Sequence, residues 1–430
     1  MSTVAPARER LPQEIRILVG AGFVVALGYG IVVPALPEFA RSFNVGVTAA
    51  SAVVSGFALC RLLFAPASGR LLYRLGEQRM FSWGVLVVAA SSAACAFAAT
   101  YTQLLTFRAI GGIGSTMFTV AAAALLIKIS PPHMRGRAAA AWATGFLLGN
   151  IAGPLIGGWL AVINLGAPFV IYAVLLGVAA VIIRLKLPGQ KKAAFEDPGP
   201  VPAITVSFRR LLRDRTFQAC LASNFLNGWT VYGVRIAIVP LFIVDVLGGS
   251  SSSSGAALTA FAVGTALVLT CGGHLADQWG RKRTALIGSA CVAVTMGGLA
   301  FTTSLDQVLL ACFFSGIGTG LLTPPLGAAV ADVLSPERAD TRGDTDSDND
   351  TRSGTALAGY QMVGDVGAIV GPVVAGIAVD HGGYWVAFAL TAVLAGVTAC
   401  SWWRASELVG VRERVLAVRG LRRAVTQWTR

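Results

Sequence analysis

A chain of 430 residues that is 55% hydrophobic, 13% charged and carries 50 glycines is too apolar for a soluble protein of its length. Its formal charge of +13 would suggest nucleic acid in a soluble chain, but in a membrane protein the placement of charge answers a different question, that of orientation. The seven cysteines (Cys60, Cys95, Cys220, Cys271, Cys291, Cys312, Cys400) stand singly in apolar segments with no metal-ligand or redox spacing, so neither a metal nor a cofactor is expected.

In chain order, the opening MSTVAPARERLPQEIR lacks a short apolar region followed by a cleavage site, so no removable signal peptide is expected. Windows of about 20 mostly apolar residues fall near 16–39, 47–69, 80–99, 104–127, 138–162 and 167–187. After a charged, Pro/Gly-rich stretch they resume near 218–244, 254–275, 284–303, 307–331, 355–379 and 383–403. Twelve spans put both termini on one side. All but four (Arg41, Arg61, Arg108, Arg235) of the 34 Lys and Arg lie on that side, which the positive-inside rule makes cytoplasmic. The far-side loops carry little beyond Glu38, Arg41, Asp245, Asp306 and Asp380. An inner (cytoplasmic) membrane protein follows, with lipids around it and no nucleic-acid partner.

The halves repeat. Gly69 and Gly273, Gly76 and Gly280, and Gly112-Ile113-Gly114 and Gly316-Ile317-Gly318 differ by a constant 204, whereas Gly153 and Gly371, like Pro154 and Pro372, differ by 218. About 14 residues are therefore inserted within the acidic stretch 337–353, whose composition predicts disorder and lacks the glycine and terminal glutamate of a calcium loop. The domains expected are a six-helix bundle over 1–188, a cytoplasmic linker over 189–215, a second bundle over 216–405 and a basic tail over 406–430. A monomer is expected.

The run GNIAGPLIGG at 149–158 returns in degraded form as GAIVGPVVAG at 367–376. A glycine four residues before Gly-Pro places small residues on one helix face, and the proline bends or stiffens that turn. Such helices suit the seam between two rocking halves. The run fits gxxxGPxxGG at Gly149, Gly153, Pro154, Gly157 and Gly158. LGYGIVVPALP at 27–37 fits lgxxxxxPxxP, RAIGGIG at 108–114 fits RxxxGxG, and GHLADQWGRKR at 273–283 fits GxLaDxxGrkr. On these motifs the chain resembles the major facilitator superfamily, and within it the twelve-span drug:proton antiporters. The resemblance implies an all-α integral membrane fold of twelve transmembrane helices in two six-helix bundles. For Arg108 it implies help in proton transfer.

In the loop motif, Gly273 is expected to allow a close crossing, Asp277 to sit at a helix N-terminus, and Arg281 to hold the loop at the cytoplasmic surface beside Gly280. The first-half copy GRLLYRLGEQR, from Gly69, carries Tyr73 where the family has aspartate.

An ionisable group at bilayer depth costs about 2.5–3.5 kcal/mol on insertion scales. Asp365 is the one carboxylate near mid-membrane, and it reads either as a proton carrier or as a structural acid paired with an arginine. Polar and aromatic groups within spans are the substrate-binding candidates: Tyr29, Asn150, Asn224, Asn227, Trp229, Tyr232, Arg235, Tyr360 and Gln361. Aromatic walls with a few amides suit amphipathic, ring-bearing compounds. Gly367, Gly371 and Pro372 join the structural set as second-half copies. No GxxxxGK[ST] loop and no nucleophile cluster occurs, which argues against an ATPase or an enzyme. The function expected is proton-coupled export of small amphipathic or lipophilic compounds, with export of a sugar, amino acid or siderophore on the same fold as the alternative.

Overall fold

The structure, a computed structural model, describes residues 11–186, 212–333 and 349–405, apart from the side chains of 270, 277, 328, 331 and 349–356. The linker from 187 to 211, the insertion from 334 to 348 and the basic tail from 406 lie outside the described residues.

The first half comprises α1 (Gln13–Val32), the short α2 (Leu36–Arg41), α3 (Val47–Leu75), α4 (Glu77–Ala96), α5 (Tyr101–Ile129), α6 (Arg135–Ile163) and α7 (Ala167–Lys186). The second comprises α8 (Arg215–Gly228), a π-helical segment (Trp229–Ile238), α9 (Val239–Asp245), α10 (Ser251–Trp279), α11 (Arg281–Leu299), α12 (Leu305–Val333), α13 (Asn349–Gly382) and α14 (Tyr384–Arg404). The described residues contain no strand.

Local chemistry places the breaks. Gly76 and Gly280, 204 residues apart, take φ of +77° and +93° immediately before α4 and α11, a backbone that side-chain-bearing residues avoid. Thr100 caps α5 by accepting from the Gln103 N–H, and the Asp214 carboxylate caps α8 by accepting from Thr216 and Phe217. Pro240 follows the π segment. It has no N–H for the Ile236 carbonyl and its ring pushes against that carbonyl, which accounts for the widened helix just before it.

Eleven stretches are long and apolar enough to cross a membrane, α8, the π segment and α9 acting as one. The helix that falls short is α11, because it opens on Arg281, Lys282 and Arg283 and is rich in Gly, Ser and Thr. Its position in the repeat is that of α4, since 77 and 281 share the 204 offset. Two expectations are corrected here. Residues 349–353 of the acidic insertion are the start of α13, and Asp380 belongs to the last turn of that helix, not to a loop.

The chain forms two units, one of Met1–Asn44 with Gly56–Val201, the other of Val45–Ser55 with Pro202–Arg430, so the first residues of α3 belong with the second. In the first unit α1 packs on α6 and α7, and α4 on α5 and α7. In the second, α12 packs on α10 and α11, α14 on α11, and α13 on α8 and the π segment. There the Asp380 carboxylate accepts from the Val47 and Thr48 N–H groups at 2.9 Å each and from the Thr48 hydroxyl at 2.7 Å, capping α3 from another helix.

Candidate functional site

The glycine-proline helix of the first unit is pressed onto α1. A Cβ on Gly149 would lie 2.7 Å from the Leu27 nitrogen, on Gly153 2.5 Å from the Leu27 oxygen, and on Gly157 1.9 Å from the Ile31 oxygen. Gly158 and Pro154 are buried with them. The second unit repeats the arrangement between α13 and the α8/π helix. There Gly367 meets the Phe225 oxygen, Gly371 meets Trp229 and Gly233, and Gly228 meets the Gly364 oxygen, with Pro372 buried on the same face. Sequence reasoning assigned these faces to the seam between halves. Within each unit the structure sets them against a neighbouring helix, over three successive turns of backbone contact.

Arg108 on α5 is 1% exposed, with its Cζ 4.5 Å from the Phe57 ring centroid and 5.7 Å from that of Tyr29. Those rings lie 6.3 Å apart. Gly112, one turn along α5, permits this approach: its Cβ would sit 2.3 Å from the Phe57 oxygen. Cation–π contact is worth about 0.5–2 kcal/mol, less than the several kcal/mol that desolvating an ion costs. Arg108 Nε and Nη1 have no hydrogen-bond partner among the described residues.

The second unit carries a counterpart that sequence reasoning missed. Phe261 stands 204 residues after Phe57, and Gly316, 204 after Gly112, crosses its carbonyl in the same way, a Cβ falling 2.1 Å from the oxygen. The guanidinium over Phe261, with Cζ at 4.2 Å, is that of Arg235 from the π segment, because the position equivalent to Arg108 is Cys312. Each unit thus lays one arginine on the equivalent phenylalanine, reached from different helices. The 204 offset was the available signal; it pointed to Phe261 and could not point to Arg235.

Asp365 lies at the middle of α13, beside the face formed by Gly364, Gly367, Ala368 and Gly371, and is half-buried. The remaining candidates divide. Tyr29, Asn227, Tyr232 and Tyr360 are half-buried and Gln361 is exposed. Asn150 donates to the Phe146 carbonyl of its own helix at 2.8 Å, and Asn224 to the Tyr360 carbonyl at 2.6 Å, tying α8 to α13. Trp229 is 3% exposed and donates its indole N–H to Thr391 of α14 at 3.0 Å. Its ring is held between helices, so it does not form the open aromatic wall expected of it.

At the ends of the bundles, Lys128 pairs with Glu77 at 3.0 Å and Arg281 pairs with Asp332. Adding 204 to 77 and 128 gives 281 and 332: the same positions carry the same bridge with the charges exchanged. Arg281 is therefore a clamp between α11 and α12 and not merely a surface anchor. These side chains are 12–20% exposed, so breaking a pair should cost about 2 kcal/mol, between the surface and buried limits. Glu77→Lys should lower detergent melting stability accordingly, and Glu77→Lys with Lys128→Glu should restore most of it; a double variant as weak as the single one would deny the pair that role.

One loop-motif expectation changes. Nothing lies within 4 Å of a Cβ built on Gly273, so that glycine makes no close crossing; its neighbour Gly272 approaches the Gly320 oxygen at 3.1 Å instead. The Asp277 side chain lies outside the described residues, while Tyr73 in the first-half copy is exposed and Gly69 half-buried.

The model of the Major Facilitator Superfamily matches residues 18–234 and 220–429. Among curated relatives, the multidrug transporter MdtP of Bacillus subtilis is 24% identical over 387 residues, covering 76% of this chain and 71% of that protein. A multidrug resistance protein B homolog of Mycobacterium tuberculosis is 25% identical over 365 residues, covering 71% and 67%. The quinolone resistance protein NorA of Staphylococcus aureus is 28% identical over 175 residues, 41% of this chain and 45% of that one. Among solved structures, a bacterial homologue of the human lysosomal transporter Spinster, inward-facing and unoccupied, superposes with a TM-score of 0.73 at 16% identity, over 92% of this chain and 97% of that one. The nucleoside transporter NupG, solved as a point mutant, does so with a TM-score of 0.70 at 14% identity, over 91% and 99%. With apolar helices throughout, two units built on one repeat and a family match along nearly all of its length, this chain is a multi-pass membrane transporter, not an enzyme, and belongs to the major facilitator superfamily.

Proposed function

We propose that the protein exports small amphipathic or lipophilic compounds across the cytoplasmic membrane in exchange for protons, by alternating access, with both termini inside. The observation that carries this reading is Asp365. Among the described residues it is the one carboxylate in the central part of an apolar helix; the others stand at helix ends. A carboxyl group at that depth is costly when charged and inexpensive when neutral, the property required of a group that loads and unloads a proton. Arg108 supplies the fixed positive charge of the first unit, and the multidrug names of the relatives MdtP and NorA support the cargo class.

Moving one charge inward across about 150 mV supplies roughly 3.5 kcal/mol. That is between two and three decades of cargo gradient at about 1.4 kcal/mol per decade, so one proton suffices. The test is a substrate screen in everted vesicles with an imposed pH gradient. Efflux substrates should accumulate inside in proportion to the gradient and be released on its collapse. Accumulation indifferent to the gradient for every compound that is transported would remove proton coupling.

A further inference from the structure

The acids of the first unit's described residues are Glu14, Glu38 and Glu77, in the first turns of α1, α2 and α4. From residue 78 to residue 195 the sequence contains neither Asp nor Glu. Glu77 is occupied by Lys128. Arg108, buried and with two nitrogens lacking a hydrogen-bond partner among the described residues, therefore has no carboxylate near it in its own unit. Arg61 follows Phe57 by one turn on α3, and its backbone lies in the same crossing, where Thr116 of α5 donates to its carbonyl at 3.2 Å. The helices of this unit thus hold two arginines at depth and no opposing acid.

We propose, resting on the efflux reading above, that Arg108 recognises an anionic group on the cargo, so that the exported class is amphiphiles bearing a group such as a carboxylate and not permanent lipophilic cations. A carboxylate meets the guanidinium through charge-assisted hydrogen bonds, the strongest kind available to it. Tyr29 is the one member of the Tyr29–Phe57–Arg108 cluster that is not buried, so the approach to Arg108 runs past its ring, which accepts the apolar body of the ligand. A permanent cation brought to the same place meets a like charge in a low-dielectric interior, and the described residues of this unit place no acid beside it to offset the repulsion. Arg235 over Phe261 gives the second unit a fixed positive charge in the equivalent place.

The test is equilibrium binding of one dye in two forms to the purified, full-length protein: rhodamine B, which has a free carboxylate, and its ethyl ester, which is a permanent cation. The parent should bind the acid at least tenfold more tightly than the ester. Arg108→Gln should bring that ratio to about one, by weakening the acid and, through loss of the like charge, tightening the ester. Arg108→Lys, which keeps the charge without the planar fork, should retain a two- to fivefold preference. Equal or tighter binding of the ester by the parent overturns the proposal, and so does a preference that survives in a folded Arg108→Gln. The parent ratio alone decides against it should that variant not fold. Neither measurement uses a proton gradient, so a failure of coupling in vesicles leaves this result readable and the converse also holds.

Discussion

Replacing Asp365 by asparagine is expected to leave a folded carrier that exchanges cargo but no longer concentrates it. The two side chains have nearly the same shape, and position 365 is half-buried beside a tightly packed glycine face, so the exchange keeps the packing and removes the titratable proton. At the middle of a 34-residue helix the carboxyl group is remote from both ends, and its charge there costs a few kcal/mol unless a partner or water attends it. Cycling between neutral and charged forms ties the two faces of the membrane to two energies of the same site. In everted vesicles with an imposed pH gradient the accumulation ratio should fall from roughly 10²–10³ to about one, while counterflow of labelled substrate without a gradient persists. Uptake that stays gradient-driven in the variant would place coupling elsewhere, and loss of counterflow as well would make Asp365 a structural acid.

The largest effect on stability is expected at Gly157. A methyl group there would sit 1.9 Å from the Ile31 carbonyl oxygen and 2.6 Å from its carbonyl carbon, and backbone cannot rotate away as a side chain can. Either α6 separates from α1 along the whole glycine face or α1 distorts. Overpacking of this kind costs about 1–3 kcal/mol in ordinary cores, and with backbone on both sides Gly157→Ala belongs at the upper end. A protein of this size should melt roughly 3–5 °C lower. Gly273→Ala is the matched control, since nothing lies within 4 Å of the added atom, and should melt with the parent. Equal melting of both variants would mean that the glycine face of α6 is not what holds the two helices together.

Legibility followed the physical range of each signal. Span positions came from apolar length, which needs only local sequence, and they match the helices, α11 included, although its three leading basic residues dilute its apolarity. The 204-residue offset carried further than the motifs did: it maps the Glu77–Lys128 bridge onto Arg281–Asp332 and Phe57 onto Phe261. The same offset failed for Arg235, because the second unit draws its ring-stacked cation from the π segment and leaves Cys312 at the equivalent position. Trp229 was read as a cargo-facing ring from its type alone, yet its N–H is taken by Thr391, which stands 162 residues away in sequence. Asp380, expected in a far-side loop, accepts three hydrogen bonds from Val47 and Thr48, more than 330 residues earlier.

By itself the amino-acid sequence determined that this chain crosses a membrane many times, that it is a duplicated six-helix unit, and that its deep charges are few and mostly basic. Each of these rests on hydropathy, spacing or counting along the chain, and bilayer physics acts on those directly. Only the tertiary structure decided what the glycine faces touch, which ring each arginine covers and which amides are consumed in joining helices. Those outcomes depend on backbones approaching to van der Waals contact between segments distant in sequence, where a shift of one residue along a helix turns a side chain by about 100°.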